Sequence, residues 1–257
     1  MFWKEKVVFL TGASSGIGEA LALEIAGRGA VVGLLARREI LLRDLAERCA
    51  QRGGAARYFP VDVTDETAVA DAAESLRREF GKVDILIANA GIGGSAKHAE
   101  DLRPEDFRRV IDVNLNGAVN AVSAVLPQMI ERGSGGQLVA VSSLAGFRGL
   151  PKSAAYCASK AAMTAYFESV RLDVQDKGIA VTIIQPGFIK TPLTSGRSNK
   201  MPFLMELEDS IPLFLRAIEK KKKFAAFPWQ LASVVRAGKI FPAWLYDRIA
   251  GGARYRE

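Results

Sequence analysis

Histidine and cysteine are nearly missing from this chain: it carries one histidine, His98, and two cysteines, Cys49 and Cys157. Two thiols make neither a disulfide framework nor a metal-ligand spacing, and this usage suits a reducing compartment. No uninterrupted apolar run approaches the ~18 residues of a membrane span. The opening segment has only 7–10 as an apolar run, too short for the hydrophobic region of a secretory signal. Internal repeats, low-complexity tracts and linkers are absent as well. No nucleic-acid motif is present, and Lys and Arg are scattered apart from one run, Lys220 to Lys223. These absences predict a cytoplasmic protein with no nucleic-acid partner, no metal site, and one domain over 1–257.

What is there points to a large α/β domain. The chain has 257 residues, 49% of them hydrophobic, enough to bury a sizeable core. Its net charge of +7 favours anionic partners, which a phosphorylated cofactor and an acidic membrane surface both satisfy. Short apolar runs at 7–10, 30–36, 56–61, 83–89, 137–142, 179–185 and, more weakly, 223–227 predict strands. Between them, 16–28, 39–51, 66–80, 104–131 and 154–177 carry apolar residues near helical spacing. Strands alternating with helices mean βαβ units and a parallel sheet.

The first strand runs into Thr11-Gly12-Ala13-Ser14-Ser15-Gly16-Ile17-Gly18 and then a helix. Glycines there allow a sharp turn and close approach to a pyrophosphate, whose charge the free N–H groups of a helix start would meet. The spacing G-x-x-x-G-x-G departs from the usual G-x-G-x-x-G, and its place after a strand is what favours a cofactor site over a plain turn. Gly12 to Gly16 also fit the G-x-S-x-G elbow of serine hydrolases. That chemistry needs a histidine, and the one available sits beside a glycine-rich loop at 91–95, where a surface position is expected.

The second predicted strand ends Ala36-Arg37-Arg38. A ribose 2′-hydroxyl is usually held by an acidic residue near this point, and a 2′-phosphate by arginine. Two cations at a helix start oppose its dipole unless an anion is bound; a solvated basic turn is the other reading. Asp62 could accept from an adenine amino group or help cap the helix starting near Thr64 and Asp65.

The stretch Ser142 to Lys160 carries the chemistry. Residues 154–177 hold neither Gly nor Pro and stop at Gly178, so Tyr156 and Lys160 share one face of a long helix. Ser143 ends the preceding strand and could return over the first helical turn. A phenol, mostly protonated at neutral pH, needs ~4 kcal/mol of help to act as a base there. An ammonium ~4 Å away at an effective dielectric of ~20 supplies about that much. Ser143 could donate to a substrate oxygen as charge builds on it. Asn114 is out of place in the apolar stretch Val110 to Val119, unless it faces solvent.

Taken together, Thr11 to Gly18, Asp62, Asn89-Ala90-Gly91, Asn114, Ser143, Tyr156-x-x-x-Lys160, and Pro186-Gly187 with Thr191 resemble the short-chain dehydrogenase/reductase family over roughly 5–195. Ala88 departs from the family's frequent second asparagine. The resemblance implies a Rossmann-type doubly wound parallel sheet of about seven strands, order 3-2-1-4-5-6-7, with helices on both faces. It implies NADP(H), preferred over NAD(H) given Arg37 and Arg38, and hydride transfer between nicotinamide and a carbonyl or secondary alcohol. Tyr156 would be the general acid or base, Lys160 its activator and a ribose ligand. Ser143 would orient the carbonyl, and Asn114 would hold a water of a proton relay. Cofactor contacts would come from Gly12, Ser14, Ser15, Gly16, Ile17, Gly18, Arg37, Arg38, Asp62, Val63, Asn89, Ala90, Gly91, Tyr156, Lys160, Pro186, Gly187, Ile189 and Thr191. Ile92 would flank the cofactor with Gly91, and Cys157 is assigned to packing. A non-catalytic nucleotide-binding sensor or scaffold is the alternative, against which the four retained side chains Ser143, Tyr156, Lys160 and Asn114 speak.

A substrate lid is expected over 188–215. Its apolar residues Met201, Phe203, Leu204, Met205, Leu207, Ile211, Leu213 and Phe214, with Phe147, Leu150 and Phe188, would either wall an apolar pocket or pack regardless of ligand. The resemblance implies a homodimer or homotetramer built through helices 104–131 and 154–177. The basic and aromatic extension 220–257 would contact a membrane surface or a neighbouring subunit.

Overall fold

The computed structural model describes residues 2–94, 99–101, 103–195 and 201–252. His98, part of the expected lid (196–200) and the end of the C-terminal extension (253–257) lie outside the described residues.

Seven strands form one parallel sheet: β1 Val7–Thr11, β2 Val31–Ala36, β3 Ala55–Pro60, β4 Ile85–Ala88, β5 Gly136–Val141, β6 Ile179–Pro186 and β7 Phe224–Phe227. Their order is β3-β2-β1-β4-β5-β6-β7, as the resemblance implied. Side chains alternate across the sheet, so neighbouring residues of each strand enter different cores. Val8, Leu10, Leu34, Ile87 and Ile184 pack under helices α1 Gly16–Ala26, α2 Glu39–Gln51 and α7 Leu207–Glu219. Phe9, Leu35, Leu86, Leu138 and Ile183 pack under α3 Glu66–Phe80, α5 Gly117–Arg132 and α6 Ala154–Asp173. Burial on both faces explains why the central strands read as continuous apolar runs. β1 pairs with β2 on one side and β4 on the other, so the chain order reverses beside it. A crevice opens there at the carboxyl ends of the strands.

Two expected helices differ in detail. The stretch 104–131 is not one α-helix: α4 Pro104–Ile111 passes through a π-turn, Asp112–Asn116, before α5 begins. A π-turn adds one residue to a single turn inside an otherwise helical run. The joined segment Pro104–Arg132 is long and apolar enough to cross a membrane by composition. Its α5 part instead buries Ala121, Val122, Val125 and Met129 in the core. The stretch 154–177 ends as a helix at Asp173, and a short 3₁₀ turn, Gln175–Lys177, leads to Gly178 with φ +69°.

The apolar residues of the expected lid divide between core and surface. Ile211 and Phe214 are buried on α7 and pack into the sheet core with Leu215 and Ile218. Residues 211, 214, 215 and 218 form the i, i+3, i+4, i+7 stripe of a core-facing helix. Phe203 and Leu204 are exposed. The chain from β6 returns near the site at one bridge, Ile189 to Met205. Two further helices, α8 Trp229–Ile240 and α9 Ala243–Gly252, follow β7.

Candidate active site

The glycine turn brings two backbone segments into close contact. Gly12 has φ +67°, and a Cβ placed on it would lie 2.6 Å from the Ala90 Cα, so glycine is required for both reasons. Thr11 and Asn89 brace the turn. Asn89 Nδ2 donates to the carbonyls of Thr11 and Gly12 at 3.1 Å, while Thr11 Oγ1 accepts from the N–H groups of Asn89 and Ala90 at 3.1 Å. Ser15 occupies the N-cap of α1, yet its side chain caps nothing. The first N–H groups of α1 are thus left for an anion at the positive end of the helix dipole.

Arg38 turns back to this same place. Its Nη2 donates to Ser14 Oγ and Ser15 Oγ, both at 2.8 Å, which carries the guanidinium from the end of β2 to the glycine turn. Arg37 lies 3.6 Å from Asp62 with its side chain 68% exposed. Asp62 Oδ1 accepts from the Thr64 N–H and hydroxyl at 3.0 Å, and the N-cap of α3 is Asp65, which accepts from the Ala68 N–H. Of the two roles weighed for Asp62, its local turn is realised through Thr64, while the cap itself belongs to its neighbour.

Ser143, Tyr156 and Lys160 converge where the sequence placed them. β5 delivers Ser143, and α6 carries Tyr156 and Lys160 one turn apart. Ser143 Oγ accepts from the Ala145 N–H at 3.1 Å and reaches the Pro186 carbonyl only at 3.5 Å. That outer-limit contact leaves its proton available to another acceptor. Lys160 is buried, donates to the Val141 carbonyl at 2.9 Å, and places Nζ 5.9 Å from the centre of the Tyr156 ring. Burial pushes the lysine down to about 8. A cation this near the ring favours the phenolate over the phenol.

One cavity of about 310 Å³ joins these pieces. Its lining includes Gly12, Ser14, Ser15, Gly16, Ile17, Arg37, Arg38, Asp62, Val63, Asn89, Ala90, Gly91, Ser143, Tyr156, Lys160, Pro186, Gly187, Ile189 and Thr191. Gly18 and Asn114 stand behind it. Gly18 is buried, and a Cβ there would meet the Gly12 carbonyl at 2.2 Å, so it serves the packing of α1 against the turn. Asn114, fully buried in the π-turn, accepts from the Ile92 N–H at 2.7 Å and donates to the Ile92 carbonyl and Ser159 Oγ at 3.0 Å. A Cβ on Gly91 would touch both Asn114 Oδ1 (3.4 Å) and Lys160 Nζ (3.5 Å), which fixes the amide beside the lysine. Cys157 is buried and is absent from the cavity lining, in keeping with packing.

Several participants escaped the sequence reading. Ser159 is fully buried, accepts from the Asn114 amide and donates to the Tyr156 carbonyl at 2.8 Å, linking the π-turn to α6. Its signal was a serine three residues after Tyr156 and one before Lys160. Leu193 and Thr194 also line the cavity. None of the eight apolar residues at 201–214 lines it.

A short chain dehydrogenase family model matches residues 6–202. The chain is similar to an uncharacterized oxidoreductase of Myxococcus xanthus, 43% identical over 245 residues, covering 95% of this chain and 96% of that protein. It is 38% identical over 194 residues to a 3beta-hydroxysteroid dehydrogenase of Mediterraneibacter gnavus, covering 76% and 70% of the two chains. Among solved structures, a short chain dehydrogenase from Mycobacterium paratuberculosis bound to NAD matches with a TM-score of 0.80 at 26% identity, over 88% of this chain and 96% of that one. With most of its length under the family model and the sheet order to match, this chain belongs to the short-chain dehydrogenase/reductase family of NAD(P)-dependent oxidoreductases.

Proposed function

We propose that the protein is an NADP(H)-preferring oxidoreductase acting on an apolar carbonyl or secondary alcohol. The carrying observation is the single cavity that holds the uncapped start of α1, Arg37 and Arg38 at one end and Ser143, Tyr156 and Lys160 at the other. The uncapped helix start fits a pyrophosphate, and the two arginines with small Ala36 before them fit a ribose 2′-phosphate better than a 2′-hydroxyl. A bound nicotinamide nucleotide supplies or accepts the hydride.

The side chains divide the remaining work. Ser143 donates to the substrate oxygen and holds it beside Tyr156. Tyr156 gives that oxygen a proton in reduction and takes it back in oxidation. Lys160 sustains the phenolate between turnovers by its charge, and Asn114 with Ser159 keeps the catalytic helix in register. A second cavity of about 260 Å³ also reaches Tyr156, where Pro104, Phe107, Val110, Ala154 and Ala155 line it beside Arg103, Asp106 and Ser153. This wall supports an apolar substrate, as does similarity to a protein named a hydroxysteroid dehydrogenase. Exposed Phe107, Ile130 and Leu172 along α4 to α6 support subunit contacts, and a cytoplasmic homodimer or homotetramer is part of this reading.

Initial rates of nicotinamide absorbance change with a panel of ketones and aldehydes, including steroids, test this. kcat/KM should favour NADPH over NADH. Replacing Arg37 and Arg38 by Ala should reduce that preference roughly 10- to 100-fold, the value of losing charge-assisted hydrogen bonds. A wild-type enzyme preferring NADH would overturn the cofactor assignment.

A further inference from the structure

The C-terminal helices have their apolar residues on the wrong side for a soluble surface. On α8, Trp229 is 72% exposed and Ile240 83%, and eleven residues bring them onto nearly one line along the helix. Ala232 and Gly238 are the buried positions of that helix. On α9, Trp244 is 69% exposed and Ile249 54%. A surface helix ordinarily turns such residues inward and sets charged ones outward. Between and beside these apolar residues stand Arg236, Lys239 and Arg248, with Lys220 to Lys223 just upstream, against Asp247 as the single acid of 220–252.

We propose that α8 and α9 form a docking surface for an anionic lipid bilayer. Tryptophan with basic flanks is the composition of an interfacial helix, apolar side chains entering the headgroup boundary while the cations meet acidic lipids. Charge decides against a second copy of this chain as occupant. A two-fold contact sets the same patch against itself, which here brings basic residues together with almost no acid to answer them. A phospholipid surface carrying negative headgroups supplies the missing charge.

The surface is fastened to the active-site loop. Arg148 Nη1 donates to the carbonyls of Gly238 at 2.6 Å and Phe241 at 2.9 Å, at the end of α8. Its guanidinium lies 3.9 Å from the centre of the Tyr246 ring on α9, and the Tyr246 hydroxyl donates to the Gly149 carbonyl. Arg148 and Gly149 belong to the loop joining Ser143 to Tyr156. Docking therefore sets this catalytic loop, with its half-exposed Leu150, close to the lipid. The inference goes beyond the proposed activity and stands whichever nucleotide or carbonyl the enzyme takes.

Sedimentation of the full-length protein with vesicles tests it, using phosphatidylcholine alone and phosphatidylcholine mixed with phosphatidylserine. Binding is expected to the mixed vesicles and to weaken with salt. Each basic residue at the surface contributes roughly fivefold to the partition, so Arg236→Gln with Arg248→Gln should lower it about 25-fold. Trp229→Ser with Trp244→Ser should release the protein, with the melting temperature near wild type because these side chains are exposed. Absence of binding to the mixed vesicles, or binding indifferent to both double variants, overturns the proposal. So does a fall in molar mass by light scattering in the tryptophan variant, which would make the face a contact between copies.

Discussion

A buried cation should make this protein less stable than it could be, and the cost should vary with pH. Lys160 is 4% exposed, and burial brings its pKa from 10.5 to about 8. That displacement corresponds to about 3 kcal/mol. In the unfolded chain the lysine keeps its proton up to its ordinary pKa, so between about 8 and 10.5 the native state binds fewer protons than the unfolded one. Stability contributed by this group therefore rises with pH across that window, and the whole cost is present below it. Lys160→Met removes the cost together with the bond to the Val141 carbonyl, a loss of about 1–2 kcal/mol. At neutral pH the variant should come out about 1–2 kcal/mol more stable, a rise of roughly 2–8 °C in melting temperature for a chain of this size. Near the ordinary lysine pKa only the lost bond remains, and the order should reverse. Thermal melts of both proteins without nucleotide, from neutral to strongly alkaline pH, measure this. Parallel curves, or a wild type more stable throughout, would refute the reasoning. Activity should move the other way at neutral pH, falling at least about 100-fold as the phenol loses the charge that helps it act as a base.

Other consequences follow from the same geometry. Ser159→Ala removes the hydroxyl between the Asn114 amide and the Tyr156 carbonyl, so kcat should fall about 10-fold with nucleotide affinity unchanged; loss of nucleotide binding would show that the residue merely holds the fold. Burial pushes the Cys49 thiol up to about 11 and raises that of Cys157. The native protein should resist iodoacetamide at mildly alkaline pH and take up label on both cysteines once unfolded, and rapid labelling of the native state would contradict their burial.

The sheet was legible because each central strand is buried on both faces and therefore reads as an apolar run between glycine-rich or polar breaks. The site was legible because close backbone approach needs glycine at Gly12 and because one helical turn separates Tyr156 from Lys160. What stayed hidden depends on packing. The π-turn around Asn114 is a single turn within a long apolar run, and an out-of-place amide was its trace. Apolar residues at Ile211 and Phe214 look alike whether they line a substrate pocket or, as here, seal the core under α7. α8 and α9 were read only as a basic and aromatic extension, since their exposed tryptophans break the pattern by which a helix is recognised. The hydrogen bonds of Arg38 to Ser14 and Ser15 came only with the three-dimensional path of β2.

The most direct measurement is the hydride-transfer rate of Tyr156→Phe, followed by nicotinamide absorbance in a single turnover with a substrate that wild type converts, beside its binding of NADPH by fluorescence titration. Removing the phenolic proton while keeping the ring should abolish transfer by at least about 100-fold and leave nucleotide affinity within a few-fold of wild type. Transfer at the wild-type rate would mean that the phenol at the meeting point of the two cavities takes no part in the chemistry.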